Sequence, residues 1–378
     1  MKKVFFSLMA ALMAVGASAQ SGTFSISGQY SALGDSARVY VIVPGTNKED
    51  VKQDIALNDG FNLSYQIDGP RQCYIIALSD GKPDGDTRVM VPAMPGENAV
   101  ITDNGDDYEI GGSQFYMDYS EAVKSMSDAK NAYNEFVGQL YARMAMGEDE
   151  EAISALYDEQ APALIQAVTD AVRGYIAAHP DQDASAAIVT EAGEDVEEIE
   201  QTVALLSERV KNSPASMFYK GALESAKRAA EREALQNGLV GKTAPDFTLI
   251  DIEGDPLTLS SLQGKWVILD FWGAWCKWCI KGMPDMKEYY AKYSDRLEIL
   301  GVDCNDTMEK WQEAVEREQL PWLHVYNPKD ATDDVNPVKL YGVSGFPTKV
   351  VINPEGIVAK VIVGEDPAFY KYLDSVLE

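Results

Sequence analysis

Hydrophobic and polar positions follow three rhythms along the chain. From residue 21 to about 112, apolar and polar residues alternate in short runs at Thr23–Ser27, Arg38–Val43, Phe61–Gln66, Cys73–Leu78 and Ala99–Thr102. A period of two is that of a half-buried strand. Gly, Pro, Asn and Asp punctuate the runs, and Asn58-Asp59-Gly60 reads as a turn between two of them. An all-β, sandwich-like domain is expected over 20–112.

From about 113 to 238 the rhythm becomes helical. Tyr116, Tyr119, Ala122, Val123 and Met126 recur at helical spacing, as do Ile153, Leu156, Tyr157, Leu164, Ile165 and Val168. Pro180 and Pro214 interrupt it. A Tyr and Met stripe at this spacing reads as core or as a partner-packing face. Gly238–Lys242 then reads as a loop, after which the two rhythms alternate. Strands are expected at Phe247–Ile252, Trp266–Phe271, Leu297–Val302 and Leu323–Tyr326. Lys349–Ile352 and Val358–Val363 would form a hairpin around Asn353-Pro354-Glu355-Gly356. Helices are expected at Cys279–Tyr293, Thr307–Gln319 and Tyr370–Leu377. This order predicts an α/β domain over 239–378, a central sheet with helices on both faces.

The first residues read as a targeting segment. Lys2 and Lys3 precede an apolar stretch, Val4–Val15, too short to span a bilayer, and Ala17-Ser18-Ala19 offers small residues at a cleavage site before Gln20. A frayed apolar helix is the alternative. Residues 1–19 contain no Cys, so no lipid anchor is expected. The expectation is a soluble, exported, periplasmic protein. The formal charge of −28 over 378 residues repels nucleic acid and anionic lipid, and it keeps a protein in solution. The densest acidic runs, Glu148–Glu151 and Glu191–Glu200, read as solvated helix faces or loops.

Four cysteines are too few for a disulfide scaffold in a chain of this length. Cys73 and Cys304 are isolated and read as small buried residues, with a link between them left open. Cys276 and Cys279 form a C-x-x-C within Phe271-Trp272-Gly273-Ala274-Trp275-Cys276-Lys277-Trp278-Cys279. The motif follows an apolar strand and opens a helix. A helix N-terminus carries unpaired N–H groups and partial positive charge, which stabilise a thiolate and lower its pKa. Cys276, read as the more exposed member, would attack, and Cys279 would resolve the mixed disulfide. A zinc site is the competing reading, but it needs four ligands, and His179 and His324 lie far apart in sequence.

Further landmarks appear in order. They are Ala244-Pro245-Asp246-Phe247-Thr248-Leu249, Gly264-Lys265-Trp266-Val267-Ile268-Leu269-Asp270-Phe271-Trp272, and Tyr341-Gly342-Val343-Ser344-Gly345-Phe346-Pro347-Thr348. With the C-x-x-C, residues 239–378 resemble the thioredoxin superfamily, specifically its exported TlpA-like and ResA-like branch. The upstream layout, with Gly111-Gly112-Ser113 at the β-to-helix junction, resembles exported Bacteroidetes proteins. The resemblance implies a thioredoxin fold, thiol-disulfide exchange with exported thiol or disulfide proteins, a membrane thiol donor as electron source, and no metal or organic cofactor. It implies that Pro347 is cis against the C-x-x-C and that the backbone of Phe346 pairs with substrate. It further implies that Asp270, six residues before Cys276, moves the proton of Cys279; a surface ion pair with Lys265 or Lys281 is the alternative. ResA-like members place a Glu three residues after the second Cys, where this chain has Gly282.

Two residues depart from the family pattern. Trp278 stands where Pro is common, and Lys277 adds a cation beside the thiolate, which favours the reduced form and makes the couple more oxidising. Trp275 and Trp278, with Phe346, would form an aromatic rim for polypeptides or simply pack on the domain. A peroxiredoxin reading needs Thr where Gly273 stands. A partner-binding protein with a vestigial redox domain is the remaining alternative, and the intact Cys276, Cys279, Asp270 and Pro347 count against it. A reductase or isomerase is the favoured reading.

Overall fold

The computed structural model describes residues 21–42, 52–57, 60–105, 107–329, 331–332 and 335–378. The expected leader over 1–19, Val43 at the end of one expected strand, and Asn58 and Asp59 of the expected turn lie outside the described residues. The chain divides into two compact units, one ending at Lys227 and one spanning Arg228–Glu378.

The first unit opens with eight strands: β1 (Gly22–Gln29), β2 (Ser36–Ile42), β3 (Lys52–Leu57), β4 (Phe61–Ile67), β5 (Arg71–Ser79), β6 (Lys82–Ala93), β7 (Asn98–Asp103) and β8 (Tyr108–Gly112). They form two four-stranded sheets, ordered β4-β1-β7-β8 and β3-β2-β5-β6. Every pairing is antiparallel except β1 with β7. Alternate residues such as Phe24 and Ile26, Val39 and Val41, Val89 and Val91 enter one buried core, as the period of two requires. Strands β3, β6 and β8 go beyond the expected set. Each lies at the edge of its sheet and carries the charges, Pro or Gly that edges tolerate.

Helices follow: α1 (Gln114–Ala145), α2 (Glu150–Ala178), α3 (Asp183–Ala187), α4 (Val196–Ala204), α5 (Glu208–Lys211) and α6 (Met217–Leu239). The core of the sheets continues into Phe115, Tyr116, Ala122 and Met126 of α1 and Val172 and Ile176 of α2. The Tyr116 hydroxyl donates to the Pro92 carbonyl at 2.7 Å, tying α1 to β6. Val123 is exposed; adjacent helical residues stand about 100° apart, so burying Ala122 and Met126 turns Val123 outward. The acidic runs also act locally. Asp149 caps α2, and Asp195 with Glu198 forms a capping box on α4.

The second unit holds β9 (Thr248–Asp251), β10 (Pro256–Thr258), β11 (Trp266–Trp272), α7 (Lys277–Tyr293), β12 (Leu297–Cys304), α8 (Met308–Glu318), β13 (Leu323–Asn327), α9 (Pro337–Leu340), β14 (Thr348–Ile352), β15 (Val358–Val363) and α10 (Pro367–Leu377). Its seven-stranded sheet runs β10-β9-β13-β12-β11-β14-β15, with β13, β12 and β11 parallel. The loop expected from Gly238 starts later. Helix α6 continues through Leu239, which is buried, and the turn falls at Gly241, whose φ of +80° suits glycine. Residues of β11 alternate between two cores. Ile268 and Trp272 face α7, α8 and α10, whereas Val267, Leu269 and Phe271 face Phe247, Tyr341 and Val343. The strand is therefore apolar throughout except for Asp270.

Candidate active site

Strand β11 ends at Trp272, and a four-residue turn delivers the chain to α7. Cys276 is the N-cap of that helix, with extended φ and ψ, and its Sγ accepts the backbone N–H of Cys279 at 3.2 Å. A sulfur here receives an otherwise orphaned amide and the positive end of the helix dipole. Cys276 and Cys279 are joined in a disulfide with Cα atoms 5.3 Å apart. Both are buried, 5% and 4% exposed, so exposure does not tell them apart. The N-cap position does, because it gives the Cys276 sulfur a helix amide.

The turn before Cys276 is held from below. The Cys276 N–H donates to the Gly273 carbonyl at 2.9 Å, and the Ala274 N–H donates to Asp306 Oδ2 at 2.6 Å. Asp303, also buried, faces Asp306, and burial together with that neighbouring carboxyl pushes its pKa up to about 8. Gly273 has no room for a side chain, since a Cβ there would lie 2.7 Å from the Cys304 carbonyl oxygen. A Thr at this place, as a peroxiredoxin needs, would not fit.

Trp275 and Trp278 are 50% and 62% exposed, so neither ring is packed away in a core. Trp275 is oriented by its Nε1–H donating to the Cys304 carbonyl at 2.9 Å and by an edge contact with Phe346, centroids 5.2 Å apart. Lys281 Nζ lies 4.9 Å from the Trp278 ring centroid. Lys277 is exposed on the first turn. The Phe346–Pro347 peptide is cis, and the Trp275–Phe346 contact brings its loop beside the C-x-x-C.

Asp270 points to the same sheet face as Ile268 and Trp272, into the core that contains Cys276 and Cys279. It is 5% exposed, and its Oδ1 has no hydrogen-bond partner among the described residues. Burial raises its pKa to about 6, with Lys349 opposing and Glu365 adding to the rise. The surface ion pair with Lys265 or Lys281 does not form: Lys265 lies 3.9 Å from Glu298, and Lys281 is on Trp278. Lys349 lies directly across from Asp270 in the β11–β14 register and acts on it electrostatically without an ion-pair contact, its own contact being with Glu365. Lys349 and Glu365 carry no local signal in the sequence, because only the register of β14 and the turn after β15 bring them here. Cys73 and Cys304 are free and buried, and burial raises both thiols, Cys73 to about 12. Among the described residues no three His, Cys, Asp or Glu side chains converge on a metal position, and no helix is long and apolar enough to cross a membrane.

Residues 240–361 match the AhpC/TSA family. A thiol-disulfide oxidoreductase ResA of Bacillus thuringiensis is 36% identical over 137 residues, covering 36% of this chain and 75% of the relative. The chain belongs to the ResA-like thiol-disulfide oxidoreductases of the thioredoxin superfamily. The ResA of Geobacillus thermodenitrificans is 39% identical over 126 residues, covering 33% of this chain and 70% of that relative. Among solved structures, the thioredoxin domain of a thiol-disulfide oxidoreductase from Bacteroides vulgatus is 31% identical, with a TM-score of 0.34, covering 37% of this chain and 98% of that one. As a ResA-like protein, this chain is an enzyme of thiol-disulfide exchange, and its C-terminal unit has the thioredoxin-like fold.

Proposed function

We propose that Cys276 and Cys279 exchange disulfides with exported polypeptides in the periplasm, in the reductive or isomerising direction. The observation that carries this reading is the Cys276 sulfur at the N-cap of α7, receiving the Cys279 amide. In the reduced enzyme the Cys276 thiolate attacks a substrate disulfide. A Cys276–substrate S–S bond forms, the substrate bond breaks, and one substrate sulfur leaves with the electron pair. Cys279 then passes its proton to Asp270 and attacks the Cys276 sulfur. The Cys276–Cys279 bond forms and the second substrate sulfur leaves as a thiolate. The enzyme has lost two electrons and the substrate has gained two. A membrane thiol donor returns them. Asp270, ionised above its raised pKa, is the base for Cys279. Trp275, Trp278 and Phe346 offer an apolar rim to an extended chain beside Pro347. Lys277 favours the thiolate.

We further read a leader over 1–19, a sandwich-like β domain over 20–112, a helical region over 113–238 and the redox domain over 239–378. The alternating burial of the two sheets and their shared core support the sandwich-like reading.

The test is insulin-disulfide reduction together with trapping of substrate adducts. Cys276→Ser is expected to abolish exchange, and Cys279→Ser to accumulate mixed disulfides that run as reducible adducts on gels. An active Cys276 variant, or a Cys279 variant that traps nothing, would overturn the assignment.

A further inference from the structure

Beneath the disulfide lies a set of buried charges that the reaction as written does not use. Lys349 on β14 is 2% exposed, yet its side chain carries an ammonium. A buried ammonium is costly unless paired. Its Nζ is 2.6 Å from Glu365 Oε1 and 5.5 Å from the centroid of Phe369. Glu365 follows β15, and its side chain is 21% exposed. Its carboxylate sits over Gly282 of α7, so that a Cβ at Gly282 would lie 2.5 Å from Cδ and 2.6 Å from Oε2. Gly282 is one turn past Cys279. Any side chain larger than hydrogen at 282 would displace the carboxylate. Its absence therefore opens the place that Glu365 fills from another element.

Asp270 stands opposite Lys349 in the sheet register. Lys349 thus lies between two carboxyl groups, one with which it pairs in contact and one whose Oδ1 is unpartnered. The ionisable groups acting on this set are Asp270 from β11, Cys304 from β12, Lys349 from β14, Glu365 from the turn after β15 and Tyr370 from α10, with Asp285 and Tyr289 of α7 acting on Tyr370 and Asp303 and Asp306 acting on Cys304. The Tyr370 hydroxyl donates to the Gly282 carbonyl at 3.4 Å.

We propose that Glu365 is a positioning residue for the redox reaction: by neutralising Lys349 above Gly282 it keeps that cation from holding Asp270 ionised, and so sets the proton affinity of the base that serves Cys279. With Glu365 in place, the Lys349–Glu365 pair is neutral and Asp270 can take a proton. Without it, the Lys349 charge falls on Asp270 alone. This inference rests on the role given to Asp270 above.

The titration of Asp270 in the full chain tests it, followed by carbonyl NMR of protein labelled with 13C at the aspartate carboxyls, the Asp270 signal being assigned by its loss in Asp270→Asn. Glu365→Gln is expected to lower the Asp270 midpoint by about 1 pH unit, in the range of a nearby opposite charge. Lys349→Met is expected to raise it, and the double variant to fall between Lys349→Met and the wild type. Opposite signs in the two single variants are what a packing defect would not produce. If Glu365→Gln fails to fold, Glu365→Asp carries the test, its shorter carboxylate giving a smaller shift of the same sign. A midpoint unmoved in a folded Glu365 variant, or moved the same way by both substitutions, overturns the inference. If the midpoints move as expected while the wild type shows no thiol-disulfide exchange, the proposed function fails and the charge coupling stands.

Discussion

At the scale of single residues, the sequence separates groups by chemistry, and the fold sets their charge. Asp270 was legible through the family resemblance, as the acid six residues before Cys276. Its pKa of about 6 came from burial, which no local pattern shows. The sign of its effect on stability follows. The folded protein binds this proton more tightly than the unfolded chain, whose Asp titrates near ~3.9. The stabilisation is complete below about pH 4 and is lost as pH rises through about 6, on the order of 2–3 kcal/mol by pH 8. Asp270→Asn is therefore expected to melt at higher temperature than the wild type at pH 8 and with no advantage at pH 4. Calorimetry at the two pH values checks this, and an equal difference at both would refute it. His324 works in the opposite direction. Buried between Trp272 and Trp322, it is held neutral with its pKa down to about 3, and stability falls as pH drops below about 6.5.

At the scale of elements, strong periodicity was read well, at the edge strands β4 and β15 too, and what was missed lies at other edges. The strands missed in sequence are β3, β6, β8 and β10, and all four are edge strands. An edge strand pairs on one side only, so it can carry the Lys, Asp, Pro and Gly that otherwise signal a loop. The helix that carries the chemistry was legible as a helix and as a cap. Its first turn also places a cation next in sequence to Cys276. Lys277 is exposed there, so its field on the thiolate is screened by solvent. Lys277→Ala is expected to make the couple more reducing by on the order of 10 mV, and Trp278→Pro to move it the same way. The wild-type couple is expected above thioredoxin's ~ −270 mV. A glutathione titration followed by Trp275 fluorescence checks these values. A shift toward the oxidising side in Lys277→Ala would refute the role given to that cation.

At the scale of the molecule, the two units have separate cores. Phe24, Val39, Tyr116 and Ile176 belong to one; Ile268, Trp272, Met283 and Phe369 belong to another. Burial of apolar surface is the main drive for folding, so a unit with its own core is expected to fold alone. Residues 228–378 expressed alone are expected to melt cooperatively and to retain exchange activity. Calorimetry of the full chain is expected to show two transitions. Loss of cooperative melting in the fragment would show that it needs the first unit.

The sequence alone determined the α/β order of the last 140 residues and the helix that opens at Cys276, both written in neighbouring residues through periodicity and capping chemistry, while its family resemblance implied the cis bond at Pro347 and the acid at Asp270. Tertiary structure alone decided that the β segment and the helical segment share a core, that Trp275 and Trp278 stay exposed, and that Lys349 and Glu365 meet beside Asp270 and Gly282. Those depend on strand register and on which element packs across which. Contacts between residues far apart in the chain leave no period in the sequence to be read.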